Sequence, residues 1–299
     1  MSTRKEESEK KASPYFDVKS LLNQVIKNID ELFLNKKDVT GIPTGFIEID
    51  KMLAGLQSSN LIVVASRPAM GKTTFVLNLI ANAAIGSQIN VGIFSLGMPR
   101  EQLVTRLISS EGKIDSQALR TGKLNEEEYS RISTVACVLS EANIYIDDSN
   151  EISIELLCER SREMKMDKNI QLIVVDYFQL IDCQNELHDI DYISKKLKRL
   201  ATELKIPIIV LSQLSSEIED RPNKSPVLGD LPGSGSLANE ADVVMFIFRE
   251  EIYEENNPAL RGLADIIIAK QRNGPIGRVT LTFQKEFTLF TNYEGPSYG

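Results

Sequence analysis

The sequence predicts an α/β fold: a mostly parallel sheet flanked by helices and finished by antiparallel strands. Three observations carry this. From Ile47 onward, short β-rich apolar runs alternate with longer stretches of helical periodicity, the pattern of strands joined by crossover helices. The first core run, LIVVA, passes through a glycine-lysine-threonine loop directly into a helical stretch. The last three runs are separated by short links, which suit hairpins rather than crossovers.

In chain order, residues 1–16 are polar and charged and read as a disordered leader. They lack the apolar stretch of a secretory signal, and no run approaches the ~20 apolar residues of a bilayer span. A cytoplasmic protein is expected. DVKSLLNQVIKNIDELF places Val18, Leu21, Leu22, Val25, Ile29 and Leu32 on one helical stripe, with Asp17 available as N-cap. That helix either packs on its own subunit or docks on a neighbour; with its connection it occupies 17–39. The main domain is expected over 40–293, with a tail at 294–299. Its predicted strands are Leu61–Ala65, Val91–Ser95, Ile144–Ile146, Leu172–Asp176, Ile208–Ser212, Val243–Phe248, Ile266–Ala269, Val279–Phe283 and Phe287–Phe290.

Composition excludes several chemistries. The 299 residues hold three cysteines without C-x-x-C spacing (Cys137, Cys158, Cys183) and one histidine, His188, so neither a zinc site nor a histidine-based triad can be assembled. The net charge of -8 argues against nucleic-acid binding through overall charge. Contact with DNA must use a local basic patch or a ring that concentrates a few cations.

The strongest local signal is LIVVASRPAMGKTTF, a P-loop in strand-loop-helix context. Ser66, Arg67, Pro68, Ala69, Met70, Gly71, Lys72, Thr73 and Thr74 are the candidate nucleotide-binding residues. Backbone N–H groups and the helix start surround phosphate oxygens, Lys72 reaches the outer phosphates, and the Thr73 hydroxyl can ligate Mg²⁺. Ser66 stands where the usual pattern has its first glycine. IQLIVVDYFQL delivers Asp176 to a strand's C-terminal end, where an open α/β sheet keeps its ligand crevice, so Asp176 is the second candidate metal ligand. IPIIVLSQL ends at Gln213, whose amide is placed to sense the γ-phosphate.

TGIPTGFIEIDKMLAGLQSSNLIVVASRPAMGKTTF, RTGKLNEEEYSRIS, NIYIDDS, VVDYFQL, LSQL and IAKQRNGPIG stand in this order between about Thr40 and Tyr293. Together they resemble the RecA-like C-terminal ATPase domain of the DnaB-type replicative helicases. KQRNGPIG and RTGKL argue against a recombinase or clock-type ATPase on the same fold. The resemblance implies a RecA-like P-loop core in a homo-oligomeric, hexameric ring with ATP and Mg²⁺ bound between neighbours. Such a ring translocates on single-stranded DNA and meets primase or a helicase loader. It casts Lys270 and Arg272 as trans-acting catalytic cations beside Lys72, Asp176 and Gln213, and the 17–33 helix as a linker packed on the next subunit. The helical collar expected before that linker has no counterpart here. The chain is therefore either a piece of a longer protein or a short relative.

Two departures bear on mechanism. In IFSLGMPREQL, Gly97 occupies the position of the family's water-polarising glutamate, so hydrolysis is slowed unless Asp147, Asp148 or another carboxylate substitutes. In GDLPGSGSLANEAD, Pro232 and Gly233 replace an Arg-Glu pair in the channel-facing loop, leaving Gly233, Ser234, Gly235 and Ser236 as candidate DNA-phosphate contacts. Two functions stay open: an active helicase, or an ATP-binding ring subunit that hydrolyses little and serves a structural or regulatory role.

Overall fold

The computed structural model describes residues 17–35, 38–182, 190–233 and 235–295. The leader expected at 1–16, Cys183, His188, Ser234 and the last four residues of the expected tail lie outside them.

The chain begins with α1 (Val18–Asn35) and α2 (Ile47–Leu53). Between them, Asp50 turns the TGIPTG segment by accepting hydrogen bonds from the Thr44 amide (2.9 Å), the Thr44 hydroxyl (2.9 Å) and the Gly45 amide (3.1 Å). Then follow β1 (Leu61–Ser66), α3 (Lys72–Ala81), β2 (Val91–Ser95), α4 (Arg100–Gly112), α5 (Ser116–Thr121), α6 (Glu126–Glu141) and β3 (Ile144–Asp147). A two-residue strand β4 (Ile152–Ser153) precedes α7 (Ile154–Lys168), β5 (Leu172–Asp176), β6 (Ile181–Asp182), α8 (Ile190–Leu204) and β7 (Ile208–Gln213). The chain closes with α9 (Ser236–Glu240), β8 (Val243–Phe248), β9 (Leu263–Gln271), β10 (Gly277–Gln284) and β11 (Leu289–Asn292).

Among the described residues the main sheet runs β11-β10-β9-β8-β1-β7-β5-β2-β3, and β4 pairs with β6 beside it. Every pair from β8 to β3 is parallel, and β8 to β11 pair antiparallel. The RecA-like α/β architecture expected from the sequence is the one found. β1 sits inside the sheet with every residue buried, and its side chains alternate between two cores as strand geometry requires. Ile62 and Val64 join the cluster under α2, α3 and α4, whereas Leu61, Val63 and Ala65 join the one under α7, α8 and α9. Phe46 stacks on Phe75 (5.1 Å between centroids), Phe75 meets Phe290 edge-on (5.7 Å), and Phe290 packs on Phe283 (4.6 Å). The helix that follows the phosphate loop is thereby tied to the C-terminal hairpin.

The last three strands differ most from expectation, β10 running Gly277–Gln284 where Val279–Phe283 was expected. Phe287 lies in the turn between β10 and β11, closed by Thr288 N–H donating to Lys285 O (3.2 Å), so the last strand starts at Leu289. β9 extends beyond Ile266–Ala269 to Leu263–Gln271, because its alternately buried ends, interrupted by Asp265 and closed by Lys270 and Gln271, lack the continuous apolar run of its middle. The apolar stripe of α1 stays exposed: Val18, Leu21, Leu22, Val25, Ile29 and Leu32 all face solvent. No helix among the described residues is long and apolar enough to cross a membrane.

Candidate nucleotide site

β1 delivers Ser66, buried, to the start of the loop, and Ser66 Oγ donates to Arg67 O (2.9 Å). Two residues with left-handed backbone then turn the chain, Ala69 at φ 66° and Gly71 at φ 94°. At Gly71 glycine is required twice over: the conformation disfavours a side chain, and an added Cβ would stand 3.1 Å from the Phe290 ring. Gly71 caps α3 and accepts from Phe75 N–H (2.8 Å), leaving the first helical amides facing the loop, an arrangement suited to an anion. Arg67 contributes backbone alone, for its guanidinium turns aside to Leu214 O (3.0 Å) and Glu219 (2.9 Å).

The loop opens on a cavity of about 420 Å³ lined by Ser66 to Ala69, Gly71 to Thr74, Met98, Arg106, Gln213, Arg249, Phe283, Lys285 and Thr288. Asp176, at the end of β5, is nearly buried and accepts from Thr73 Oγ1 at 2.8 Å. Burial pushes its carboxyl above the usual range, although Thr73, Lys72 and Arg106 all pull it down. A buried carboxylate and a hydroxyl 2.8 Å apart form an oxygen donor set that suits a divalent cation of the Mg²⁺ type. Among the described residues no cluster of three or more acidic, histidine or cysteine ligands forms, so a metal here would rely on water and phosphate for its remaining ligands. Lys72 Nζ lies 5.5 Å from the Tyr177 ring centroid, and burial pulls its ammonium down to about 8 against the attraction of Asp176.

Gln213 ends β7 with an exposed side chain at the cavity. Gln179 holds this end of β7, its amide donating to the Gln213 carbonyl (2.9 Å) and to the Ser212 hydroxyl oxygen (3.1 Å). Gly97 follows β2, and a Cβ there would meet Tyr177 at 3.0 Å and Leu180 at 3.3 Å. The carboxylates offered as substitutes are engaged elsewhere: Asp147 with Arg160 (2.6 Å) and Ser149 (2.7 Å), Asp148 with the Arg100 amide (3.2 Å). Neither lines the cavity.

Lys270 and Arg272 are not brought to this cavity. β9 runs antiparallel to β8, with Gln271 opposite Val243, which puts both cations at the end of the sheet where β1 begins. Lys270 Nζ donates to Ala238 O (2.6 Å) and Asn239 O (3.0 Å); Arg272 Nη2 donates to Asn239 O (2.9 Å) and Glu240 O (3.3 Å). The candidate DNA loop leads into the other end of α9. Gly233 (φ 81°) and Gly235 (φ 95°) have left-handed backbone, and a Cβ on Gly233 would strike Ile190 at 2.5 Å. Ser236 N–H is engaged by Gly233 O (2.9 Å), so its hydroxyl is what Ser236 has to offer a phosphate.

Over residues 41–292 the sequence matches the family model described as DnaB-like helicase C terminal domain. The chain belongs to the DnaB-like helicase C-terminal domain family. It is 46% identical over 296 residues to the replicative DNA helicase DnaB of Buchnera aphidicola subsp. Acyrthosiphon pisum (strain APS), covering 97% of this chain and 64% of that protein. It thus spans less than two thirds of that relative's length. Among solved structures, an isolated ATPase domain superposes with a TM-score of 0.87 at 32% identity, covering 93% of this chain and all of that one. A DnaB-like replicative helicase, described with its interactions with primase, gives 0.85 at 32% identity over 94% of this chain and 68% of its own.

Two side chains of this DnaB-like site, Arg106 and Arg249, escape the motifs, and a third, Tyr177, lies within VVDYFQL without an assigned role. Arg106 comes from α4 and lines the cavity; burial lowers its guanidinium while Asp176 raises it. Arg249 donates to Ala69 O (3.1 Å), fixing the left-handed residue of the loop, and stacks over Phe283 at 4.3 Å. Tyr177 stands between Lys72 and Gly97. The lowered Lys72 gives a pH prediction. A triphosphate favours the charged ammonium, so binding takes up a proton where free Lys72 is partly neutral. Nucleotide affinity should therefore fall as pH rises through about 8, log Kd climbing with a slope that approaches about one, and Lys72→Ala should abolish that slope. Titration of a fluorescent ATP analogue across this range measures it.

Proposed function

We propose that this chain is the ATP-hydrolysing motor unit, 40–293, of a DnaB-like replicative DNA helicase. With α1 as linker arm, it assembles into a homo-oligomeric, hexameric ring that translocates on single-stranded DNA and unwinds duplex in the cytoplasm. The observation that carries the reading is the convergence of Lys72 and Thr73, from the start of α3, with Asp176, from the end of β5, beside one cavity. In this reading the loop amides from Ala69 to Thr74 and Lys72 hold the ATP phosphates, Gln213 senses the γ-phosphate, and Thr73 with Asp176 holds Mg²⁺. When bound, Mg²⁺ supplies positive charge across the outer phosphates.

Lys270 and Arg272, at the opposite end of the sheet from the phosphate loop, serve the neighbouring subunit's γ-phosphate, which makes hydrolysis depend on assembly. Gly233 to Ser236 meet DNA phosphate, and Pro232, lacking a cation, weakens the salt dependence of that contact. Docking of primase or a loader on the ring belongs to the same proposal. The exposed apolar stripe of α1 supports its role as an arm that a second copy covers.

A second reading is favoured by Gly97 and Pro232: a ring subunit that binds ATP, hydrolyses it slowly and serves a structural or regulatory role. Unwinding of a forked duplex with ATP, alongside ATPase and nucleotide-binding measurements, separates the two. Strand displacement that Lys72→Ala abolishes supports the motor. Nucleotide binding without turnover or displacement supports the second reading, and failure to bind ATP overturns both.

A further inference from the structure

The two cations at the end of β9 need something to keep them there. They lie close enough that Arg272 helps to lower the Lys270 ammonium, after burial as the larger cause. Their carbonyl contacts, all neutral, come from the end of α9. Among the described residues, the carboxylate that reaches Arg272 is Asp242, 6% exposed, in the link between α9 and β8.

Asp242 has partners from separate parts of the fold. Its Oδ2 accepts from Leu61 N–H (2.8 Å), the first amide of β1, and from Lys198 Nζ of α8 (2.6 Å). Its Oδ1 lies 3.5 Å from Arg272 Nη1. The backbone repeats the connection: Asp242 N–H donates to Leu61 O (2.8 Å), and Arg272 N–H donates to Asp242 O (2.9 Å). Nothing in the catalytic reading uses this buried charge. A carboxylate anchored to the base of an inner parallel strand can hold a guanidinium in register with the rigid sheet, where a flexible arginine on a surface loses several rotatable degrees of freedom to do the same.

We infer that Asp242 is a positioning residue for Arg272 and, through it, for Lys270, fixing where the pair is presented to the next subunit. This rests on the proposed trans role of the two cations. Asp242→Asn keeps the shape and an acceptor for Leu61 N–H while removing the charge. Within assembled rings it should lower kcat about tenfold, the equivalent of one charge-assisted contact, with KM and nucleotide affinity essentially unchanged.

The deciding measurement is a double-mutant cycle with Arg272→Ala, run in the Gly97→Glu background so that turnover is large enough to measure. If Asp242 acts through Arg272, Asp242→Asn adds nothing once Arg272 is gone. Equal fractional losses with and without Arg272, or a loss expressed in nucleotide affinity, overturn the inference. An Arg272→Ala chain with undiminished kcat overturns the trans reading instead, so the two failures are distinct. Should Asp242→Asn fail to fold, Lys198→Met removes the other cation and leaves the Asp242–Arg272 contact. Retained kcat then supports the inference, and a tenfold loss assigns the effect to the α8 anchor and overturns it.

Discussion

Gly97→Glu is expected to raise the ATPase rate of this chain by about 10²–10⁴, the contribution of a positioned general base. Position 97 follows β2, one strand over from Asp176 in the sheet, and its neighbour Met98 lines the phosphate cavity. Among the described residues no glutamate lines that cavity, and Asp147 and Asp148 are held by Arg160 and by the Arg100 amide. The new Cβ meets Tyr177 at 3.0 Å and Leu180 at 3.3 Å, so the tyrosine ring has to give by a few tenths of an ångström. Gly97→Ala carries that steric cost without supplying a base, and serves as the control. Steady-state phosphate release with saturating single-stranded DNA is the measurement. A brisk parent whose rate Gly97→Glu leaves unchanged would mean that water is activated by some other group.

Arg272→Ala in the Gly97→Glu chain is expected to reduce kcat by about 10³ or more, the range found for arginines that act across an interface. Its own phosphate cavity keeps every lining residue, so nucleotide affinity should hold. Mixed rings make the test specific. Subunits carrying Lys72→Ala have no working loop but an intact cation pair, and those carrying Arg272→Ala have the reverse. Blending the two should recover turnover at interfaces where the good loop faces the good cation, which neither variant shows alone. Absence of recovery, in rings shown by light scattering to mix, would place Arg272 in its own subunit's chemistry.

Much of this is written in local pattern. The strand-loop-helix run from Leu61 to Ile80 and the apolar strand ending at Asp176 each declare themselves within a short window, because periodicity and phosphate geometry both act over that span. What local pattern cannot reveal is which distant side chain fills a space. Arg106, Arg249 and Gln179 reach the site from α4, from the end of β8 and from the segment after β5, and only the folded sheet brings them there. Arg67 shows the opposite case: its position in the motif suggests a phosphate ligand, yet its side chain is drawn to Glu219 and Leu214 O. Phe287 reads as strand because it is aromatic and apolar, whereas a tight turn through Thr288 at φ 48° claims it. The exposed stripe of α1 is legible as a helix and its partner is not, since a pattern specifies a face and leaves open what covers it.

The five residues of α9 make little more than one turn, about 7.5 Å from end to end. Gly235 enters it from the loop assigned to DNA, and the oxygens of Ala238, Asn239 and Glu240 leave it gripping the lysine and arginine. A displacement at one end would therefore have little more than a single turn of helix to cross before it met the lysine and arginine at the other.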